Sequence, residues 1–286
     1  MIGRKVLSAI AIIGLGFTSG FALSVSSANA QMNEAEKRAK DPRNKNYMVG
    51  DKNSGYVYMT SQTRDMQDDD FANPGFVWVD TGESLWNKVN GTAGKSCASC
   101  HSSAAKSMKG VANTFPRYDP KTKKMIAIQA YLNRHLGEKM GAKKWKWESE
   151  NMLAMAIYVK LQSRSTPVKS IINDQNRTTL APFLAKGKKF FEQRRGLLDM
   201  SCKQCHEDNA GNMARSNVLS MGMPNGFPTY RLKWQKPGSI HRRFVGCNKN
   251  VRAKPYKRGS EEYTNLEFYL MQRALGLNWE TPSVRN

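Results

Sequence analysis

Two copies of one short motif set what this chain can fold around. Cys97-Ala98-Ser99-Cys100-His101 and Cys202-Lys203-Gln204-Cys205-His206 are both C-x-x-C-H, and they begin 105 residues apart. Two thiols three positions apart can each add to a vinyl group of one haem, and the adjacent histidine can then ligate the iron. The spacing therefore reads as c-type haem attachment. A single copy would also pass for half of a zinc site. Two copies in a chain with five cysteines point to two covalently attached haems, with Cys97, Cys100, Cys202 and Cys205 as attachment points and His101 and His206 as proximal iron ligands. One thiol, Cys247, is left over.

The N-terminus places the chemistry outside the cytoplasm. Arg4 and Lys5 precede an apolar run from Val6 to Leu23, and Ala28-Asn29-Ala30 follows. That order is a secretory signal peptide over residues 1–30 with an A-x-A cleavage site, rather than a membrane anchor, and no later stretch is apolar enough to span a bilayer. Covalent haem together with export suggests a bacterial periplasm, where a spare thiol is oxidised unless it is bound or modified. Cys247 has no cysteine left to pair with inside the chain. The formal charge of +22 falls to about +20 once Arg4 and Lys5 are removed. No nucleic-acid-binding motif accompanies it, so the charge reads as attraction for an anionic substrate and for acidic partners.

Taken in order, residues 31–80 are polar and turn-rich, with Asp68-Asp69-Asp70 and Asn73-Pro74-Gly75, and read as an extended lead-in with few regular elements. Gly82 to Val89 reads as a short amphipathic helix before the first haem motif, and helical patterns follow at Met125 to Leu136 and Asn151 to Gln162. The second half repeats this grammar. Gly82 and Gly187 each stand 15 residues before the first cysteine of a motif, and Trp86 and Phe191 each stand 11 before it. Phe115-Pro116-Arg117-Tyr118 is echoed by Phe227-Pro228-Thr229-Tyr230, and Met155 to Val159 by Leu266 to Leu270. The expected fold class is mainly α, with two tandem cytochrome c-like haem domains related by an internal repeat, an extended N-terminal segment and long loops. Domain 1 is expected over 81–166 and domain 2, holding the reactive haem, over 167–286. Thr166-Pro167 marks the boundary.

The repeat also nominates the second ligand of each iron. Seventeen residues on from Tyr118 is His135, and seventeen on from Tyr230 is Cys247, which pairs His101 with His135 and His206 with Cys247. Counting from the haem motifs instead gives a competitor, since His135 lies 34 after His101 and His241 lies 35 after His206. Methionines such as Met213, Met221, Met223 and Met271 are a third option. A thiolate ligand lowers an iron's reduction potential, which suits a sulfur that itself reacts better than one that only tunes an electron carrier. Arg242, Arg243, Lys249 and Arg252 flank Cys247, and such cations lower a thiol pKa and gather oxyanions.

The runs from Asp69 to Pro74, Cys202 to Met213, Asn225 to Arg231 and His241 to Tyr256 resemble the SoxA family, the dihaem cytochrome subunit of the periplasmic SoxAX complex. The resemblance covers nearly all of the chain after residue 30. It implies an L-cysteine S-thiosulfotransferase in which thiosulfate is joined oxidatively to a cysteine of the carrier SoxYZ while electrons leave through haem to a third haem on the partner SoxX. It implies further that Cys247 is the catalytic haem ligand, able to become a persulfide, and that Arg243 lies at the substrate site; the neighbouring charges of Arg242 or Lys249 are expected to help Arg243 hold the sulfonate end of thiosulfate. Dihaem relatives carry a cysteine in the segment matching Tyr131 to His135, where this chain has His135, so bis-histidine ligation is expected for the first haem. Two other functions fit the same motifs: a non-enzymatic dihaem electron carrier, and a thiosulfate dehydrogenase forming tetrathionate.

Overall fold

The structure is a computed structural model, and it describes residues 38–286. The signal peptide assigned to residues 1–30 and the start of the lead-in lie outside the described residues. Among those described, no helix is long and apolar enough to cross a membrane.

Helices form the frame. After α1 (Ser61–Asp68) come α2 (Phe76–Asn87), the haem-motif turn α3 (Cys97–His101), the single turn α4 (Ala104–Ser107), α5 (Ile128–Met140) and α6 (Glu150–Leu161). The second half has α7 (Arg177–Glu192), the second haem-motif turn α8 (Cys202–His206), α9 (Ile240–Asn250) and α10 (Glu261–Arg273). α2 begins six residues before the helix expected at Gly82. Its apolar stripe starts earlier, with Val79 joining Gly82 and Trp86 on one buried face. α6 is a core helix: every residue from Met152 to Lys160 is buried, and its start is fixed by the Ser149 hydroxyl accepting the Met152 amide and by Glu150 in the first turn.

Glycine lets the main helices cross closely. A Cβ on Gly82 would run into the Ala154 carbonyl oxygen of α6 and lie 2.5 Å from Tyr158 Cβ. The same approach recurs where α7 crosses α10, with Asn265 oxygen and Tyr269 Cβ meeting Gly187. Each pair presents an apolar surface to its haem motif, one built from Val79, Trp86, Phe115, Ile128 and Tyr158 and the other from Phe191, Ile240, Phe244, Tyr263 and Leu266.

Four small sheets tie the loops together. β1 (Met48–Val49) pairs with β2 (Lys52–Asn53), β3 (Arg117–Asp119) with β4 (Lys124–Ile126), and β5 (Met213–Ala214) with β6 (Asn217–Val218), all antiparallel. β7 (Thr229–Arg231) lies between antiparallel β8 (Lys236–Gly238) and parallel β9 (Ser283–Arg285). The β3–β4 hairpin leads directly into α5 and the β7–β8 hairpin into α9, so each hairpin aims the helix carrying a candidate iron ligand.

The lead-in is more regular than its composition suggests. Residues 42–46 and 55–58 form 3-10 turns on either side of the β1–β2 hairpin, and Thr60 caps α1. Buried Arg64 ties the segment to itself, pairing with Asp41 at 2.9 Å and donating to the Val57 carbonyl at 2.6 Å. Asn73 donates to Pro282 oxygen at 2.9 Å and Gln67 accepts from Val284 N–H at 3.0 Å, which fastens the segment beside β9.

The halves share a core. Met125 of the β3–β4 hairpin packs with Leu180 of α7 and Phe268 of α10. Lys160 of α6, buried, donates to the Phe227 carbonyl at 3.1 Å and lies 5.1 Å from the Trp279 ring centre.

Candidate functional site

Each haem motif is a one-turn helix held open at its start by a reciprocal cap. Ser96 and Ser99 form it in α3, Ser201 and Gln204 in α8. In the first half, Trp86 of α2 packs 5.9 Å from the His101 ring and donates its indole N–H to Ser102 oxygen at 2.9 Å. His135 stands across from His101 on α5, their ring centres 6.4 Å apart. An iron held between two imidazole nitrogens at about 2 Å each spaces the ring centres by roughly 6 Å, so this pair fits a bis-histidine haem. The side of His135 away from His101 is closed by packing. Tyr131 stacks 4.4 Å from His135, Phe115 lies 5.2 Å from Tyr131, and Arg117 covers both aromatic rings. Asp119 takes a bidentate contact from Arg134 at 2.9 and 2.6 Å.

The second half puts Cys247 where the first puts His135. The His206 Nδ1–H donates to Ser220 oxygen at 2.7 Å, which fixes the tautomer and leaves Nε2 as the ring nitrogen that meets Cys247. Gly222, at φ +70°, passes so close that a Cβ would sit 3.0 Å from His206 Cγ. Cys247, half-buried on α9, hydrogen-bonds the same His206 ring. A proximal histidine and a thiol in mutual contact, with Cys202 and Cys205 one turn away, fit a haem iron with histidine and thiolate ligands. Burial pushes the Cys247 thiol up, but Arg243, His206 and Arg231 together hold it down at about 6. The Cys202 thiol is pushed up to about 12 by burial and by Cys247.

The arginines around Cys247 divide into roles that the sequence did not separate. Arg243 lies one helical turn before the thiol and acts on it most strongly. Arg242 stacks on Trp234 with its guanidinium carbon 4.2 Å from the ring centre, and Lys249 is exposed at the end of α9. Arg231, at the end of β7, was not singled out by the sequence. It packs on Trp234 at 5.1 Å and donates through Nε to Asn286 oxygen at 2.5 Å, which leaves its terminal nitrogens without a hydrogen-bond partner among the described residues. Burial, with Arg243 and Arg242, lowers its pKa to about 10. Among the described residues none of Arg231, Arg242 and Arg243 pairs with an aspartate or glutamate. The count that carries His135 to Cys247, 112 residues, also carries Tyr131 to Arg243 and Asp119 to Arg231. A closed aromatic face in the first half thus becomes a cationic one without an aspartate or glutamate partner in the second.

The competing ligands are engaged elsewhere. His241 is buried, stacked 5.0 Å from Trp147, and both its nitrogens are taken: Nδ1 accepts the Gly259 N–H at 2.9 Å and Nε2 donates to Glu267 at 3.1 Å. Met223 packs with Ala274 and Leu277, Met271 with Val168 and Trp279, and Met221 borders the former group. Met213 is exposed.

Residues 81–168 match the family model for the SoxA/TsdA cytochrome c domain. The L-cysteine S-thiosulfotransferase subunit SoxA of Paracoccus pantotrophus is 43% identical over 233 residues, 82% of this chain and 79% of that one. Its counterpart from Pseudaminobacter salicylatoxidans is 42% identical over 232 residues, 81% of this chain and 80% of its own. The Rhodovulum sulfidophilum subunit is 34% identical over 290 residues, 100% of this chain and 99% of its own. Among solved structures, SoxXA from P. pantotrophus superposes with a TM-score of 0.78 at 43% identity, covering 82% of this chain and 87% of that one.

Proposed function

The chain belongs to the SoxA family, and from that premise we propose that it is the catalytic haem subunit of a periplasmic L-cysteine S-thiosulfotransferase. It acts with a SoxX cytochrome partner, in keeping with the likeness to SoxXA, and loads thiosulfate onto a cysteine of the carrier SoxYZ. Its helix-rich, cytochrome c-like body is two tandem haem domains, 81–166 and 167–286, related by an internal repeat. A signal peptide over 1–30 exports it. Cys97, Cys100 and His101 hold one haem with His135 as the second ligand, and Cys202, Cys205 and His206 hold the other with Cys247.

Cys247, set against His206 and beneath Arg243 and Arg231, is the observation that carries this reading. Loading a carrier thiol with thiosulfate forms one S–S bond and releases one proton and two electrons. The haems, when bound, supply the acceptors for those electrons. Arg243 and the free terminal nitrogens of Arg231 hold the sulfonate end of thiosulfate by charge-assisted hydrogen bonds, aiming its outer sulfur at Cys247. Joining that sulfur to the Cys247 thiolate releases both electrons and leaves Cys247–S–S–SO3⁻. The carrier thiolate then attacks the outer sulfur, taking the thiosulfate unit and returning Cys247 as thiolate, so the second step is redox-neutral. The lowered thiol pKa serves both steps, keeping Cys247 ionised as nucleophile and as leaving group.

Cys247→Ala tests the scheme. Thiosulfate- and carrier-dependent cytochrome reduction is expected to disappear while two haems per chain remain by pyridine haemochrome assay. Retained turnover overturns the role of Cys247, and tetrathionate production without carrier overturns the transferase reading.

A further inference from the structure

One charged group beside the second haem motif has no use in the chemistry above. Arg195 opens a tight turn that closes on Met200 through paired backbone hydrogen bonds, each 3.1 Å, just before Cys202. The turn is seated on the end of α9. Gly196 presses against the Val251 carbonyl and would place a Cβ 2.7 Å from Ala253 N. The Arg195 guanidinium lies over two rings that meet edge to face, 4.9 Å from the Phe190 centre and 4.7 Å from the Tyr256 centre. Nη2 donates to Lys254 oxygen at 3.1 Å. Nη1 is buried with no hydrogen-bond partner.

Buried donors are almost always paired, and a buried cationic donor without an acceptor is costly. Of the orphaned buried side-chain atoms among the described residues, on Asn53, Trp147, Arg195, Asn225, Asn265 and Thr281, only this one belongs to a charged group. Neighbouring Arg194 takes Asp199 at 2.8 Å, and no carboxylate of the described chain pairs with Arg195. Its charge is felt at Cys202, where it opposes the effect of burial on the thiol. The turn that Arg195 opens leads directly into Cys202, so an anion carried by a group attached there would supply the missing partner. A planar guanidinium fork matches a carboxylate, and a haem brings two as propionates.

We propose that Arg195 binds a propionate of the haem attached through Cys202 and Cys205, placing a fixed positive charge at that haem's edge. The first half carries Asn90 at the corresponding place, 105 residues earlier in a turn closed the same way on Lys95, so the charge is particular to the second haem. A cation beside a haem favours the reduced iron. Arg195 thereby offsets part of the potential drop that a thiolate ligand imposes, and keeps this haem reducible. The inference rests on haem attachment at Cys202 and Cys205.

The test uses Arg195→Gln and Arg195→Lys in the haem-loaded complex with its partner cytochrome. Haem stoichiometry is measured first, then each haem is titrated potentiometrically by its own low-spin EPR signal. Two haems per chain are expected throughout. Gln should lower the midpoint potential of the second haem and leave the first unchanged, and Lys, which keeps the charge, should restore most of the shift. A Gln variant with an unchanged second-haem potential overturns the proposal. Equal shifts for Gln and Lys overturn it too, because they mark a role in packing alone. Should Gln prevent haem loading, Arg195→Lys decides alone: the propionate bending band in its resonance Raman spectrum should move, and an unmoved band rejects the pairing. A wild-type chain lacking the second haem would remove the premise itself, a result the stoichiometry sets apart.

Discussion

Replacing Arg231 with Gln separates two effects that the geometry entangles. Arg231 and Arg243 both act on Cys247, and neither has an aspartate or glutamate partner among the described residues. Losing Arg231 removes part of the sulfonate grip and also weakens the pull that keeps the thiol ionised. A hydrogen bond to a charged group contributes roughly 1.5–3 kcal/mol, which is a loss of about 10- to 150-fold in kcat/KM for thiosulfate. The second effect is smaller. Starting from a thiol held at about 6, even a full unit upward leaves about half the sulfur ionised at pH 7, a change of under twofold. Sulfonate binding dominates, so the loss should fall mainly on KM, and raised ionic strength should shrink the gap between variant and wild type. The assay is initial-rate cytochrome reduction with thiosulfate and carrier varied separately, at two salt concentrations. Trp234 and the Asn286 carbonyl hold Arg231 from outside the helix that bears Cys247, so the substitution should leave the second haem's EPR signal intact. An unchanged kcat/KM would refute the two-arginine cradle. A loss confined to kcat would show that Arg231 serves the sulfur rather than the sulfonate.

Two further substitutions address other parts of the reading. His241→Ala deprives buried Glu267 of its partner and should cost at least about 1–3 kcal/mol in denaturant unfolding, with the thiolate-type signal of the second haem retained; loss of that signal would reinstate His241 as ligand. In Asp119→Asn the bidentate contact from Arg134 is broken, for roughly 1–3 kcal/mol at neutral pH given the partial exposure of Arg134. The Arg134 guanidinium holds the Asp119 carboxyl well below the usual carboxylate range. A depressed folded pKa adds stability that is complete above the ordinary value near 3.9 and drains away as pH falls beneath it, so wild type should lose stability more steeply there than the variant. Equal slopes below about pH 4 would dismiss the pair as a source of acid sensitivity.

Much of the site was legible because covalent haem chemistry fixes spacing. The C-x-x-C-H turns, the Phe-Pro-x-Tyr hairpins and the seventeen-residue step to His135 and Cys247 are local patterns; in the structure His135 stands across from His101, and Cys247 meets His206. Helix limits were less legible. The start of α2 at Phe76 depends on Val79 being buried against α6, which only tertiary packing decides. The order of residues 38–75 was hidden for the same reason, since its polar side chains are satisfied by β9 and by one another rather than by water. His241 and Cys247 remained rivals in the sequence because both lie on α9. The choice turns on which face meets α8 and which meets Trp147 and Glu267. Arg231 and Arg195 escaped notice because each reaches the second site from a strand or turn distant in sequence from Cys247. The 112-residue step applied to Asp119 would have marked Arg231 as a reversal of charge.

The core shared by the halves makes the upstream half a chassis for the downstream one. Its hairpin supplies Met125 to the packing of α7 and α10, and its Lys160 steadies the backbone at Phe227 just before β7 and Arg231. Cutting the chain at Thr166-Pro167 would strip the downstream site of a wall and of a buried ammonium. A lineage that discarded the upstream iron would still have to keep the residues around it, so that half can persist as scaffolding after its electron-transfer duty is gone.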